Sequence, residues 1–241
     1  WNLDAVLELI DQKKYFLLHA PRQTGKTSCL LALMAYLNRA GRYRTLYANI
    51  EGAQTAREDV DRGMAAICSV LGRSARLYLG DGRLADWYRD GGGAVPADDR
   101  LAQLLEFWAA ADPRPAVLLL DEADALVGDT LISMLRQLRA GYTQRPKAFP
   151  QTVILCGVRD LRDYRIHARS EASPITGGSA FNIKAKSLRL GDFTAAEVAT
   201  LLQEHTLETG QVFTPQALDL VFSLTQGQPW LVNALAYEAC F

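Results

Sequence analysis

The segment His19-Ala20-Pro21-Arg22-Gln23-Thr24-Gly25-Lys26-Thr27-Ser28 holds residue types, at a spacing, that suit the grip of a phosphate. It follows a short apolar run, Tyr15 to Leu18, and opens into Cys29-Leu30-Leu31-Ala32-Leu33-Met34, which has the composition of a helix start. Strand, tight turn, Gly-Lys-Thr and helix form the layout of a P-loop. In it, backbone N–H groups and the positive end of the helix dipole surround the phosphates. Lys26 reaches the terminal phosphates, and the Thr27 hydroxyl stands where it can ligate Mg²⁺. Pro21, Arg22, Gln23, Thr24, Gly25 and Ser28 make up the rest of the nucleotide-binding wall. Ala20 departs from the pattern, replacing the first glycine of G-x-x-x-x-G-K-[ST]. Alanine tolerates fewer backbone angles, so the loop forms only if that position keeps an ordinary negative φ. The bland alternative is a chance Gly-Lys-Thr at a helix start.

A second segment decides between them. Ala116-Val117-Leu118-Leu119-Leu120-Asp121-Glu122-Ala123-Asp124 is an apolar run ending in paired acids. The run is continuous rather than alternating, as expected of a strand buried on both faces of a parallel sheet. Its end places Asp121 at the carboxyl edge of the sheet, where ligands bind in open α/β folds. Asp121 then holds Mg²⁺ through water as the Walker B acid, and Glu122 polarises the attacking water. Together the two segments specify a nucleotide site.

These residues need a scaffold, and the pattern supplies one. Leu3, Val6, Leu7 and Ile10 at helical spacing predict a helix over 1–11. The strand at 15–19 leads through the P-loop into a helix to Ala40, closed by Gly41. A second strand is expected over 43–50, then a helix over 53–71. The region 72–96, rich in Gly, Arg and Asp, reads as a loop-bearing surface insertion. Helices over 100–111 and 130–140, a buried strand over 151–156, a helix over 161–169, a Pro/Gly/Ser loop over 173–179 and a short strand over 186–190 complete the alternation. Strands alternating with helices imply right-handed crossovers and a parallel sheet. From Gly191 the character changes. Thr194 with Glu197 is a capping box, Thr214-Pro215 starts a second helix, and Gly227-Gln228-Pro229 a third. The expected organisation is an α/β P-loop core over 1–190, followed by a small all-helical lid over 191–241.

Composition bounds the partners. The chain has 241 residues, a formal net charge of −1 and about half its residues hydrophobic, enough for one α/β domain and a smaller unit. That balance gives no electrostatic footprint for nucleic acid. No apolar run approaches the ~18 residues that cross a bilayer, and no signal peptide is visible. Cys29, Cys68, Cys156 and Cys240 lie scattered without paired spacing, and neither they nor His19, His167 and His205 have ligand spacing. Reduced thiols and a cytoplasmic location are the expectation. A start at Trp1 and a stop inside an apolar stretch at Phe241 read as a portion of a longer polypeptide.

At this point the residues resemble P-loop ATPases of the AAA+/STAND type, particularly the bacterial and archaeal AAA-like ATPase group. APRQTGKTSCLLAL looks like that group's Walker A and VLLLDEAD like its Walker B. TVILCGVRD looks like its sensor-1 strand, which ends in an arginine, here Arg159. FTAAEVATLL and TQGQPWLVNALA look like its helical subdomain and G-x-P motif, here Gly227 and Pro229. The resemblance implies ATP and Mg²⁺ as cofactors, hydrolysis with Lys26, Glu122 and Arg159 in catalytic roles, and Thr27 and Asp121 at the metal. It also implies Pro229 against adenine, and a switch or motor acting on fused downstream domains or protein partners, a homo-oligomer being one option. Trp230 reads as core. Arg136, Arg139, Arg145, Arg162, Arg165 and Arg169 are the candidates for an arginine acting in trans.

Two other functions compete. Asp121-Glu122-Ala123-Asp124 spells the box of a DEAD-type helicase, but the S-A-T-like segment and second lobe such an enzyme needs do not follow in this sequence. A nucleotide-binding module with little turnover is the other, motivated by Ala20.

Overall fold

The computed structural model describes residues 2–158 and 186–240. The chain separates into two compact units, one of Asn2–His19 with Thr27–Arg189, the other of Ala20–Lys26 with Leu190–Phe241. The expected helix at 161–169, the loop at 173–179, and Arg159, Arg162, Arg165 and Arg169 lie outside the described residues.

In the larger unit, five parallel strands stand in the order β2-β3-β4-β1-β5. They are β1 (Phe16–His19), β2 (Arg44–Asn49), β3 (Ala116–Asp121), β4 (Thr152–Gly157) and β5 (Lys186–Arg189). Every residue of β3 and β4 is buried, the physical meaning of their unbroken apolar runs. Alternate side chains feed two cores. Leu118 and Leu120 pack with Met64, Leu71, Trp108 and Leu135, from α3 (Val60–Leu79), α5 (Ala97–Ala110) and α6 (Gly128–Ala140). Val117 and Leu119 pack with Val6 and Ile10 of α1 (Leu3–Asp11) and with Leu30, Leu33 and Leu37 of α2 (Lys26–Ala40). Each such side chain contributes about 1.5–3 kcal/mol on burial, so helices on both faces are required. The register pairs His19 with Gly157 and Asn49 with Asp121, which puts the carboxyl ends of β1–β4 on one edge. β1 and β2 follow one another in sequence yet stand with two strands, β3 and β4, between them, the kind of order reversal that opens a crevice at that edge.

Two expectations need correction. A 3-10 turn fills Glu51–Ala56, and the helix expected from residue 53 begins at Val60, capped by the Asp59 carboxylate. The segment 72–96, expected as a loop-bearing insertion, is largely helical with short connections: α3 runs on to Leu79, α4 (Arg83–Arg89) follows, and a short 3-10 turn occupies Gly92–Ala94. Glycine misled the reading because its use here is packing. A Cβ on Gly72 would lie 3.1 Å from the Ala85 backbone, so this buried helical glycine lets α3 and α4 approach closely. Gly80, with φ +62, ends α3 in the left-handed region.

In the smaller unit, α7 (Ala195–Thr209), α8 (Pro215–Thr225) and α9 (Pro229–Cys240) pack around Val198, Leu202, Val221 and Val232. The capping box is complete: the Glu197 N–H donates to Thr194 Oγ1 at 3.2 Å, and the Thr194 N–H to Glu197 Oε2 at 2.8 Å. Thr214 caps α8 with Pro215 in its first turn. Trp230 is 49% exposed, against its expected place in the core, because it follows Pro229 at the start of α9 on the side away from Val232.

At the amino edge of the sheet, buried Arg44 ion-pairs with Asp81, which follows α3, and with Asp112, which follows α5. Hydrogen bonds from Arg114 hold the Asp112 carboxyl well below the usual carboxylate range. Replacing Arg44 by Met removes one partner from each acid, while Arg83 still holds Asp81 and Arg114 still holds Asp112; urea unfolding at neutral pH should show a loss of about 1–2 kcal/mol. Because the Asp112 pKa is depressed by folding, its stabilisation is present above the ordinary carboxyl pKa of about 4 and declines as pH falls below it.

Candidate functional site

Asp121 ends β3 with no exposed surface. Three donors hold its carboxylate. The Thr27 hydroxyl donates to Oδ2 at 2.7 Å, the Tyr47 phenol donates to the same oxygen at 3.0 Å, and the Glu122 N–H donates to Oδ1 at 3.0 Å. No cationic side chain among the described residues ion-pairs with it. Burial pushes the Tyr47 phenol up, reinforced by the Asp121 charge, which keeps it a proton donor at every physiological pH. A buried carboxylate beside a hydroxyl, with its charge unneutralised, is a hard oxygen donor set that fits Mg²⁺.

The turn after β3 is tight. Glu122 takes φ 54 and ψ 38, a left-handed conformation that costs a non-glycine residue about 1–2 kcal/mol. Strain of this kind concentrates where surrounding structure demands a side-chain direction, as at catalytic turns. Asp124 crosses to the end of β4, where its Oδ2 accepts the Val158 N–H at 2.8 Å.

The phosphate-loop residues Ala20–Lys26 belong to the smaller unit. Gln23 and Gly25 take φ 62 and φ 78, and left-handed residues of this sort bend a backbone into an anion-binding nest. A Cβ on Gly25 would meet no atom within 4 Å, so the glycine is needed for its φ alone. Ala20 is fully buried and is not among the residues with positive φ, so its methyl group is accommodated. Buried Lys26 donates from Nζ to the carbonyls of Ala20 at 3.1 Å and Pro21 at 2.9 Å, and Thr24 Oγ1 donates to Pro21 O at 2.8 Å. Arg22 is exposed, as are Thr27 and Ser28 in the first turn of α2. In the same unit Gly227 takes φ +74 beneath Phe193, where a Cβ would lie 1.9 Å from the Phe193 carbonyl, and Pro229 is buried at the start of α9. Gln228 caps α9, accepting the Leu231 N–H at 2.6 Å, and reaches the Gln23 carbonyl at 3.4 Å.

Sequence reasoning missed Tyr47, Asp124 and Gln228. A polar-tipped aromatic inside an otherwise apolar strand was the available signal for Tyr47; Asp124 and Gln228 depend on contacts that spacing does not reveal. Arg145 leaves the set of arginines available in trans. Its guanidinium lies 3.3 Å from the Tyr142 ring centroid and donates to the Gln151 carbonyl at 3.0 Å, just before β4 at the amino edge. A cavity of about 500 Å³ lined by Asp112, Pro113, Pro115 and Lys147 opens at that same amino edge, remote in the sheet from Asp121.

Packing at the carboxyl edge is close. A Cβ on Gly157 would lie 2.7 Å from the Asp124 carboxylate carbon. Gly157→Ala should therefore displace Asp124 and cost about 1–3 kcal/mol, read as a melting-temperature fall of several degrees by calorimetry.

A profile of the AAA-like domain family matches residues 4–240. No curated protein sequence matches the chain. Among solved structures, a Walker-type ATPase of Pyrococcus abyssi is 16% identical with a TM-score of 0.64, covering 95% of this chain and 63% of that one. Cdc6p of Pyrobaculum aerophilum is 17% identical with a TM-score of 0.61, covering 99% and 62%. The RuvB Holliday junction branch migration motor of Thermotoga maritima is 14% identical with a TM-score of 0.53, covering 97% and 58%. The chain thus spans about six tenths of the length of these structures, with which it shares its fold. With nearly its whole length matched, the chain belongs to the AAA-like domain family.

Proposed function

We propose that the chain binds ATP with Mg²⁺ at the phosphate loop, hydrolyses it, and acts as a STAND-type switch or motor for fused domains or protein partners. The observation that supports this most is the 2.7 Å bond from Thr27 Oγ1 to Asp121 Oδ2, since it joins the start of α2 to the end of β3 at the sheet's carboxyl edge. Lys26, next to Thr27 in the chain, exchanges its Ala20 and Pro21 carbonyl partners for the terminal phosphates and neutralises their charge. Segment 21–28, Pro21 to Ser28, wraps the phosphates with N–H groups. Thr27 and Asp121 hold the metal, which when bound spreads the negative charge of the β- and γ-phosphates. Glu122, aimed by its left-handed backbone, accepts a hydrogen bond from the attacking water at its carboxylate. Arg159, outside the described residues, senses the γ-phosphate, and Pro229 lies over adenine. Residues 1–190 form the ATPase core and 191–241 the lid, whose response to turnover passes to other domains or to further copies of the chain. Four free cysteines are consistent with a cytoplasmic setting.

Calorimetry should show Lys26→Ala losing ATP affinity by about 100-fold or more. Unchanged affinity would refute the assignment. Glu122→Gln should keep ATP affinity while phosphate release falls to background. If the wild type releases no more phosphate than Glu122→Gln while ATP stays bound, the chain is a binding module instead.

A further inference from the structure

The mechanism above leaves one polar group beside the Asp121 carboxylate without a role. Tyr47 lies opposite Leu119 in the parallel register of β2 and β3, and Asp121 stands two residues beyond Leu119 on the same face. The phenol therefore runs along the sheet toward its carboxyl edge and ends on Asp121 Oδ2 at 3.0 Å. Tyr47 is buried, and its ring packs edge-on against Tyr78 with centroids 5.9 Å apart. The ring therefore has little freedom to swing away.

The acceptor count at Asp121 gives this contact its meaning. An ionised carboxylate offers about four lone-pair sites. Thr27 and Tyr47 occupy both sites on Oδ2, and the Glu122 N–H occupies one on Oδ1. One site on Oδ1 remains, in a fixed direction. Without Tyr47 the carboxylate could turn about its terminal bond, and the Thr27 hydroxyl would turn with it. We infer that Tyr47 is a positioning residue for the divalent cation: its phenol locks the Asp121 carboxylate so that the remaining lone pair and the Thr27 oxygen face the metal together. Partners of this outer kind orient the ligands of a metal, and their loss typically lowers metal affinity about 10–100-fold. This inference rests on the ATP–Mg²⁺ reading and adds a residue to it.

The test uses the whole chain and Tyr47→Phe, which keeps the ring and its packing and removes one oxygen. Binding of a non-hydrolysable ATP analogue is measured by calorimetry in EDTA and across a Mg²⁺ titration, with Asp121→Asn in parallel. The expected result is analogue affinity in EDTA within about twofold of wild type, and a Mg²⁺ requirement raised about tenfold or more. Mn²⁺ substituted for Mg²⁺ should show a broadened paramagnetic resonance spectrum in the variant, reporting a less ordered site. A wild-type Mg²⁺ requirement in Tyr47→Phe, with a raised one in Asp121→Asn, overturns the role of Tyr47 and leaves the nucleotide reading standing. Equal weakening of Tyr47→Phe in EDTA and in Mg²⁺ overturns it too, since that is a packing effect. If Asp121→Asn also keeps the wild-type requirement, the metal site itself is wrong and both readings fall.

Discussion

Removing a carboxylate from water costs several kcal/mol, and Asp121 is removed completely. That cost organises the carboxyl edge of the sheet. Three neutral donors must converge on two oxygens, and each comes from a different piece of the chain: the start of α2, the middle of β2 and the turn after β3. Neutral donors hold the charge without cancelling it. The arrangement stabilises the anion enough to survive burial and leaves its field available to a cation. At the opposite edge the solution differs. Buried Arg44 bridges Asp81 and Asp112, each also paired with a second arginine, Arg83 and Arg114, and the result is a structural tie between connections.

The sheet order makes this convergence possible. With β3 between β2 and β4, both neighbours of the acid-bearing strand present their ends beside Asp121. β2 contributes Tyr47 from below, while the end of β4 is tied to the turn after β3 through the bond from Val158 to Asp124. The same edge carries the end of β1, whose chain continues into Ala20 and the left-handed turns at Gln23 and Gly25. Two of the five non-glycine residues with positive φ among the described residues stand where chemistry is proposed, Gln23 in the loop and Glu122 after the acid; Lys13, Arg57 and Gln226 are the others.

Much of this was legible in the residues. The unbroken apolar run ending at Asp121 specifies a doubly covered strand, and Gly25-Lys26-Thr27 specifies a turn into a helix; burial and backbone angles agree with both. Thr194 with Glu197 and Thr214 with Pro215 announced helix starts because capping is a local interaction. Failures came where long-range packing overrides local chemistry. Glycines at 72 and 92 look like breakers, yet Gly72 admits the backbone of Ala85, and a Cβ on Gly92 would strike the ring of Trp87. Trp230 looked like core because indole is large and apolar, but its place at the start of α9 leaves it half exposed. Tyr47 escaped notice because its partner lies 74 positions away in sequence, and only register reveals the pairing.

The account turns on a metal and a triphosphate meeting at Thr27 and Asp121. A crystal structure of the chain with a non-hydrolysable ATP analogue and Mn²⁺, phased on the anomalous signal of the ion, tests that most directly. The prediction is one anomalous peak in direct contact with Thr27 Oγ1, with the Asp121 carboxylate in its immediate surroundings and the phosphates wrapped by segment 21–28. A bound analogue whose phosphates lie away from that segment, or an ion that touches neither Thr27 nor the shell around Asp121, would contradict the account.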